Sequence, residues 1–340
     1  MRIIGKIIDY LTLVVPLMIW GWKFLPDAVP AVEVFFMNQT GRLLTGLFFL
    51  PFWYFSQVMS PKVNWIRSTG GMISALLILE SLGFSGGSLK KLTDAADQLS
   101  FTIYSHNVLY LNDIPETVIK NVEDYAPDIV VLQEVNQNMC RNITSRLVGM
   151  GYEHTPCLTA SPNPALGFSI YSKFPVRNAA VIRTSGVDWS PEWPAQSLEF
   201  LVDSVWIRCI NVHIMPHHHG TSGSILPRPM QEAIAKKQLE EIRTYSSKDS
   251  RPTLICGDFN HTPTEKLFSA LSPGFVDSWR QGGEGFGFSW NSKMPLFRID
   301  YIFHTQDLNC EHIETVPNNF SDHSGLFARM TLRPTVMLLH

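Results

Sequence analysis

The chain has 340 residues, of which 45% are hydrophobic and 17% are charged, and its formal net charge at pH 7 is −3. Since an average soluble protein has roughly 25% charged residues, this composition excludes a disordered or collagen-like chain and argues against a uniformly soluble one. Residues 1–84 hold ten charged side chains and neither Cys nor His, whereas the five Cys and eleven His all lie beyond residue 100. The chain therefore has two regions of different character.

The first 84 residues contain three apolar stretches for which we predict transmembrane helices, since a bilayer crossing takes about 20 mostly apolar residues. The clearest stretch is Leu43–Pro61, which has no charge; the others are Tyr10–Trp22 and Ser68–Phe84, with Glu80 inside the latter. A cleaved signal peptide would explain the first stretch, and buried core helices would explain the later ones. The sequence thus predicts a multi-pass membrane module over residues 1–84, with the lipid bilayer as a partner.

The distribution of Lys and Arg around these stretches favours a cytoplasmic N-terminus, with the rest of the chain on the periplasmic or extracytoplasmic side. Residues 85–100 are polar and contain Gly86-Gly87, so we predict a linker there. Residues 101–333 are numerous enough to bury a core of their own, and we predict a single domain in this region. Residues 334–340 are left as a tail.

Four short apolar runs in this domain predict strands, and each leads into polar residues that do not suit a core. Ligand sites gather where strand ends open into loops, so these four ends predict one shared site. The runs and the residues that follow them are Phe101–Ser105 with Asn107, Asp128–Leu132 with Gln133 and Glu134, Trp206–Ile210 with Asn211 and His213, and Thr253–Cys256 with Asp258 and Asn260.

Two further strands and two helices complete the predicted fold. Arg298–Phe303 alternates with a period of two, and Leu326–Leu332 is a last strand-like run. We predict that Asp113 caps a helix with Pro115 at its first position, and that a second helix covers about Pro229–Tyr245. Strands with helices between them predict an α/β (α+β) domain in which two packed sheets are flanked by helices.

The polar motifs, taken in order, closely resemble those of the endonuclease/exonuclease/phosphatase superfamily, the DNase-I-like group. The resemblance spans about residues 101–333 and implies a two-layer β-sandwich flanked by helices, with the membrane-anchored arrangement of some bacterial members. It also implies an enzyme that hydrolyses phosphate esters with a divalent metal. The segment Gly167–Val176 is similar to another signature strand of the group. The motifs are Asn107, Gln133-Glu134, Asn211-Val212-His213, Gly257-Asp258-Phe259-Asn260, Arg298-Ile299-Asp300-Tyr301 and Ser321-Asp322-His323.

The resemblance assigns a metal site to three of these residues. Glu134 is implied as the principal ligand of Mg²⁺, or of Mn²⁺ in its place, with Asn107 and Asp322 nearby. Such oxygen ligands are those that Mg²⁺ prefers, and the ion would polarise the phosphoryl oxygens of the substrate. Asn107 is also expected to contact the substrate.

The resemblance implies catalytic roles for five residues. His323 is paired with Asp300, so that one imidazole nitrogen is held and the other exchanges a proton. Asp258 would orient or deprotonate the attacking water, and Asn260 would donate to the phosphate. His213 would contact a non-bridging phosphate oxygen and stabilise the charge of the transition state.

Several other residues receive structural interpretations. His217-His218-His219 lacks the spacing of a zinc site, and we predict a solvated loop near the substrate entrance. Trp189 and Trp193 are expected either to enter a bilayer or to pack in a loop or edge strand. Arg298 is predicted as an exposed strand charge, with support of Asp300 as the alternative.

The five cysteines have no metal-ligand spacing. Cys209 and Cys256 lie in predicted strands and are expected to be buried as small apolar side chains. A disulfide among Cys140, Cys157 and Cys310 is left open for a domain in an oxidising compartment.

The charge of the predicted domain bears on its substrate. Residues 101–340 carry 19 Lys and Arg against 24 Asp and Glu, and this excess of acid disfavours a nucleic acid. We therefore favour a membrane-anchored phosphodiesterase or phosphomonoesterase that acts by in-line attack of water on a lipid-linked ester. The alternative is a Mg²⁺-dependent endonuclease or exonuclease acting on DNA or RNA, and a third interpretation is a non-catalytic membrane scaffold of the same fold.

Overall fold

The computed structural model describes residues 2–21, 39–59, 65–81, 99–154, 156–158, 164–187, 190–216, 228–263 and 265–333. The chain forms two compact units, one of Met1–Phe84 with Thr262–Lys266 and one of Ser85–His261 with Leu267–His340. Four of the predicted features lie outside the described residues, wholly or in large part. They are the linker, the tail at 334–340, the loop His217-His218-His219, and Trp189.

The N-terminal unit contains three helices, α1 (Arg2–Gly21), α2 (Gln39–Met59) and α3 (Trp65–Ser81). Gly70 of α3 lies so close to α1 that a Cβ atom there would overlap the carbonyl group of Thr12. Within the described residues, no helix combines the length and the apolar character that a membrane crossing requires. The prediction of three transmembrane helices therefore finds no support here, and α3, with 17 residues, is shorter than the about 20 that a crossing takes.

The larger unit contains twelve strands and four α-helices among its described residues. The strands are β1 (Ser100–Asn107), β2 (Ile129–Gln133), β3 (Glu153–His154), β4 (Phe168–Ser172), β5 (Val176–Val187), β6 (Ser190–Val202), β7 (Val205–His213), β8 (Thr253–Asp258), β9 (Phe275–Asp277), β10 (Asp300–Thr305), β11 (Leu308–Val316) and β12 (Gly325–Leu332). The helices are α4 (Pro115–Tyr125), α5 (Gln137–Gly149), α6 (Arg228–Ser246) and α7 (Ser278–Gly282).

These strands form two mixed six-stranded sheets. The first sheet has the order β11-β12-β1-β2-β4-β3, and the second has the order β5-β6-β7-β8-β10-β9. One core cluster lies between the sheets and includes Ile103, Val131, Phe200 and Cys256. A second cluster joins the outer face of the second sheet to α6, and a third joins the outer face of the first sheet to α4 and α5. The predicted sandwich of two sheets flanked by helices is confirmed.

The helix start predicted near Asp113 differs in detail. Helix α4 begins with Pro115 as expected, but its N-cap position is Ile114, which makes no side-chain capping bond. The carboxylate of Asp113 instead accepts a hydrogen bond from Nδ2 of Asn136, at 3.1 Å. Asn136 in turn caps α5, with its side chain accepting from the backbone N–H of Met139. The side chain of Asp113 thus ties the start of α4 to the start of α5.

The sheet register brings the polar strand ends together. In the first sheet Asn107 lies opposite Gln133, because β1 and β2 run parallel. In the second sheet Asp258 lies opposite both His213 of β7 and Asp300 of β10. In each sheet the polar residues at the ends of neighbouring strands therefore lie side by side, as expected for the shared site predicted from the strand ends.

Two interpretations of single residues are resolved by burial. Arg298 is 3% exposed and makes two hydrogen bonds to Asp277, so the prediction of an exposed strand charge was wrong; a buried guanidinium requires a carboxylate partner. Trp193 is 1% exposed and its indole N–H donates to the carbonyl oxygen of His213, so it packs within the domain and does not reach a bilayer.

The cysteines divide into a disulfide and three free thiols. Cys140 of α5 is bonded to Cys157, which resolves the alternatives that the sequence left open. Cys209 and Cys256 are buried as predicted, and Cys310 is also free and buried.

Candidate active site

The two sheets are joined behind the site by an amide pair. Gln133, the last residue of β2, donates from Nε2 to Oδ1 of Asn211 in β7, at 2.7 Å. Asn211 donates from Nδ2 to the carbonyl oxygen of Leu132, at 2.8 Å. Both amide side chains are fully buried. These two buried hydrogen bonds fix the relative position of the two strand ends.

Asn107 links the acids of the two sheets. Its Nδ2 lies 2.9 Å from Oε1 of Glu134 and 3.0 Å from Oδ2 of Asp258. Its Oδ1 accepts from the backbone N–H of Leu109, which fixes the orientation of the amide. The other oxygen of Glu134 accepts from the backbone N–H of Tyr110. The structure therefore places Asn107 and Glu134 together, as the sequence predicts.

His213 faces the same acids with one nitrogen. Its Nδ1 lies 2.9 Å from the carbonyl oxygen of Ala165, which can only accept, so Nδ1 carries a hydrogen. Its Nε2 points toward the carboxylates, 3.6 Å from Oδ2 of Asp258 and 4.0 Å from Oε1 of Glu134. Ala165 thus determines which nitrogen of His213 is turned to the site.

Asp258 and His323 form the centre of the site. Nδ1 of His323 lies 2.8 Å from Oδ2 of Asp300, and its Nε2 lies 3.5 Å from Oδ2 of Asp258. Burial alone would lower the pKa of His323, but the carboxylates of Asp300 and Asp258 outweigh it and raise that pKa to about 10. Burial raises the pKa of Asp258 to about 6, with a further contribution from the charge of Asp300.

Asn260 and Asp322 lie at the more exposed side of the site. Asn260 donates from Nδ2 to the carbonyl oxygen of Ile214, and its backbone N–H donates to Oδ1 of Asp258 at 2.8 Å. Oδ2 of Asp322 accepts from the indole N–H of Trp290 at 3.0 Å. Asp322 belongs to neither of the groups of three possible metal ligands found among the described residues, so its expected place near the metal stays a prediction.

Backbone geometry aims these side chains into the site. Glu134 and Asn260, each just beyond a strand end, have φ values of 58° and 55°, in the left-handed region that non-glycine residues seldom adopt. Gly257 has a φ of 142°, and a Cβ atom there would overlap the backbone of Val212. Strained conformations of this kind cluster at functional sites, where neighbouring structure holds them in place.

The donor set fits a divalent cation. Ligand atoms of Glu134, His213 and Asp258 all lie within 4.8 Å of one another, and so do those of Asp258, Asp300 and His323. Asp258, which belongs to both groups, is 1% exposed, and its ion-pair partners among the described residues are His213 and His323. The three carboxylates of Glu134, Asp258 and Asp300 outnumber the protonated His323, so this excess of buried negative charge suits a hard cation with oxygen ligands.

Two contributors to the site were missed from the sequence. Trp290, which holds Asp322, lies in an irregular segment with no repeating pattern. His106 lies immediately before Asn107, and its Nε2 is 3.0 Å from the carbonyl oxygen of His323. The sequence contained a signal for His106, since a histidine inside an apolar run needs a buried partner.

A comparison with models of protein families shows to which family the chain belongs. Residues 104–323 match the model of the endonuclease/exonuclease/phosphatase family. The chain belongs to this family. Its members are metal-dependent phosphoesterases and nucleases, and this chain is accordingly a metal-dependent phosphoric ester hydrolase. The family predicted from the ordered motifs is confirmed.

Solved structures share the fold at low sequence identity. An endonuclease/exonuclease/phosphatase from Bacteroides vulgatus is 17% identical with a TM-score of 0.58, covering 69% of this chain and 99% of that one. A humanized D. rerio TDP2 is 17% identical with a TM-score of 0.55, covering 68% and 98%. The human Nocturnin catalytic domain with bound sulfate is 20% identical with a TM-score of 0.54, covering 69% and 96%. No curated protein gives a significant match.

Proposed function

We propose that the larger unit hydrolyses a phosphate ester by in-line attack of water, with a divalent cation, Mg²⁺ or Mn²⁺, held by Glu134 and the residues around it. The observation that carries this proposal is the position of Asp258, whose carboxylate faces His213, His323 and, through Asn107, Glu134. A bound cation would polarise the phosphoryl oxygens and offset the charge that develops on them.

The residues of the chain divide the proton transfers between two groups. Asp258, with a pKa raised to about 6, is ionised at neutral pH and accepts the proton of the attacking water. His323, with a pKa raised to about 10, is protonated and donates to the leaving oxygen while Asp300 holds its other nitrogen. Groups whose environments move their pKa values apart can serve as base and acid at the same pH.

The remaining polar groups bind and orient the substrate. Asn260 lies at the half-exposed edge of the site, where its amide can donate to a phosphate oxygen. His213 presents Nε2 to the same space, where it would contact a non-bridging oxygen of the phosphate. Asn107 holds Glu134 and Asp258 at a fixed separation and borders the phosphate position.

A lipid-linked ester is favoured over a nucleic acid by the side chains on the loops around the site. Leu111 is 71% exposed and Ile114 is 55% exposed, on the loop whose Tyr110 N–H binds Glu134. Met294 is 67% exposed, on the segment that follows Trp290. Exposed apolar side chains beside a site suit an apolar substrate or surface, whereas a nucleic acid requires a basic one.

A substrate panel with matched variants tests both levels of this proposal. The purified protein with Mg²⁺ or Mn²⁺ would be assayed on a bis-aryl phosphodiester, on vesicles of phospholipid and sphingolipid, on inositol phosphates, and on single-stranded and plasmid DNA. We expect Glu134→Gln and His323→Ala to lose turnover of every substrate. Equal turnover by the wild type and both variants would contradict the mechanism. Absence of turnover by the wild type on every substrate would instead support the non-catalytic scaffold.

Apolar variants separate the substrate classes. Leu111→Ser with Met294→Ser should lower kcat/KM on vesicle-borne ester while leaving the soluble diester unaffected. Val181, which is 49% exposed on β5, provides the matched control, and Val181→Ser should change neither. Nicking of plasmid at low enzyme concentration without lipid turnover would instead establish the nuclease.

The location of the protein is a separate proposal. The Cys140–Cys157 disulfide supports a catalytic unit on the periplasmic or extracytoplasmic side, since such bonds persist in oxidising compartments. Membrane attachment stays a prediction from the sequence. Carbonate extraction of cell membranes tests attachment, and thiol labelling before and after reduction tests the compartment. Release by carbonate, or free Cys140 and Cys157 in the native protein, would contradict these predictions.

A further inference from the structure

His106 lies directly behind the catalytic groups and takes no part in the chemistry described so far. Side chains of a strand alternate between its two faces, so Asn107 faces the second sheet while His106 and Tyr104 face the helical layer outside the first sheet. Tyr104 accordingly belongs to the cluster formed with α4 and α5. His106 is 1% exposed. A buried imidazole therefore lies on the opposite face of β1 from the site.

The hydrogen bonds of His106 fix its tautomer. Its Nε2 lies 3.0 Å from the carbonyl oxygen of His323, which can only accept, so Nε2 carries a hydrogen. Its Nδ1 lies 2.7 Å from the hydroxyl of Tyr104, which accepts in turn from Nδ2 of Asn121 at 3.1 Å. Tyr104 is then the donor to Nδ1. Burial lowers the pKa of His106 to about 4, in agreement with a neutral ring that has one donor and one acceptor.

The backbone of His323 is held at both its N–H and its carbonyl group. The N–H donates to Oγ of Ser321 at 3.1 Å, and that hydroxyl donates to the carbonyl oxygen of Asn107 at 2.7 Å. The carbonyl oxygen accepts from His106 and also from the side-chain amide of Asn318. The loop that carries His323 is therefore fastened to the last two residues of β1.

We propose that His106 is a positioning residue, whose Nε2–H holds the backbone of His323 so that the catalytic imidazole stays on Asp300 and Asp258. The inference rests on the proposed function, because it assigns His323 the proton transfer. Without this donor the carbonyl oxygen of His323 keeps Asn318, and the loop keeps its bond from Ser321 to β1, but it loses the contact that joins His323 itself to β1. A displacement of about 1 Å at a reacting group lowers a rate by about 100-fold.

The kinetic experiment compares three variants of this chain with a control. His106→Leu removes the donor, and we expect kcat on the bis-aryl diester to fall by about 100-fold with KM changed by less than about threefold. In His106→Gln the Nε2 of the amide can still donate to His323, so kcat should recover by about tenfold. Tyr104→Phe keeps the imidazole of His106 but removes the hydroxyl that donates to its Nδ1, and we expect a smaller loss of kcat.

His304 is the matched control, because it is a fully buried histidine in β10, the strand that also carries Asp300. Its nitrogens contact the carbonyl oxygen of Thr305 and the side chain of Gln281, at the other end of the strand from the site. His304→Leu should lower the unfolding midpoint while kcat stays at the wild-type value. Equal losses of kcat in His304→Leu and His106→Leu would show that any buried histidine has this effect, and would overturn the proposal.

A spectroscopic readout makes the proposal independent of turnover. The Nδ1 proton of His323, bonded to Asp300, should give a downfield imidazole resonance in ¹⁵N-labelled protein, assigned by its loss in His323→Ala. We expect it to be absent in His106→Leu, and present in His106→Gln and His304→Leu. A wild type that keeps this resonance but hydrolyses no substrate contradicts the proposed function alone. A His106→Leu protein with the resonance and wild-type kcat contradicts the positioning role alone; if that variant does not fold, Tyr104→Phe decides.

Discussion

Two buried clusters of charge lie along β7, and they differ in how far the positive and negative side chains offset one another. Near the start of the strand, Arg208 is 5% exposed and pairs with Glu199 of β6 and with Asp249. Glu199, itself 3% exposed, also contacts Arg177 and Arg251. At the end of the same strand, His213 faces Asp258 and Glu134, and these acids have histidine and asparagine partners in place of arginine.

The difference separates a structural ion network from a reactive site. Around Glu199 each buried charge has an opposite charge within hydrogen-bond distance, which offsets the cost of removing both from water. Around Asp258 like charges lie close together, and the raised pKa values of Asp258 and His323 record that imbalance. Acids that outnumber their basic partners are available to a cation, a substrate and a proton, so buried carboxylates have different roles in the two clusters.

The largest effect is expected from a substitution in the cluster around Asp258. Glu134→Gln removes the negative charge that would hold the cation, and kcat/KM should fall by at least about 1,000-fold, which corresponds to about 4 kcal/mol of transition-state stabilisation. Steady-state kinetics on the bis-aryl diester measure it. Glu123→Gln changes an exposed acid of α4 and should match the wild type; an active Glu134→Gln would show that the acid of β2 does not hold the metal.

The structural cluster should respond in the opposite way. Glu199→Ala leaves the buried Arg208 with Asp249 alone, and breaking such a pair lowers the free energy of unfolding by about 3 kcal/mol. Urea unfolding followed by circular dichroism measures it, while kcat/KM at low temperature should stay within about threefold of wild type. Lys120→Ala, in the exposed Lys120–Asp124 pair, should leave the midpoint unchanged. A stable Glu199→Ala protein would contradict the distinction between the clusters.

A divalent cation should stabilise the folded protein by binding at the cluster around Asp258 and not at the cluster around Glu199. With Mg²⁺ or Mn²⁺ at 100 times its Kd, binding to the folded state alone adds about 2.7 kcal/mol to the free energy of unfolding. Thermal unfolding with and without the cation should show this increment in the wild type and in Glu199→Ala. The increment should vanish in Glu134→Gln, and its survival there would place the cation elsewhere.

The smallest effect concerns pH and sharpens the roles of the two central groups. Below about pH 6 Asp258 is protonated and cannot accept a proton, so kcat/KM should rise with pH through that region. Above about pH 10 His323 loses the proton that it donates, and kcat/KM should fall. Asp300→Asn removes the nearest charge that raises the pKa of His323, so the alkaline limb should move to lower pH. An unmoved limb in this variant would assign it to another group.

Much of the site was predictable because its residues follow apolar strands. Asn107, Glu134, His213 and Asp258 each come at the end of a short apolar run, and burial of the strands leaves such ends as the place for polar chemistry. The partners that fix their orientation were not predictable. The carbonyl oxygen of Ala165 and the indole of Trp290 come from irregular segments, where contacts depend on the folded arrangement and leave no periodic pattern.

The parts of the fold that failed prediction share a physical cause. The hairpin of β5 and β6 contains Pro191 and Pro194, and its strands are defined by pairing with each other and with β7. Arg298 was predicted as a surface charge because the sequence gives no sign of its contact with Asp277. Helix α5 and strand β11 have mixed burial and were not recognised. In each case a residue far away in the sequence decides whether a polar side chain is buried in the folded domain.

By itself the sequence determined the difference in composition between residues 1–84 and the rest of the chain, the family of the larger domain, and which residues were candidates for its site. Local alternation and the order of the motifs are properties of the chain alone. Only the tertiary structure decided that Asp258 is the acid shared by both ligand groups, that Asp322 turns to Trp290, and that His106 holds His323 from behind. These contacts depend on which strand ends lie side by side in the sheets. The residues involved are up to 217 positions apart in the chain, so local sequence patterns do not reveal them.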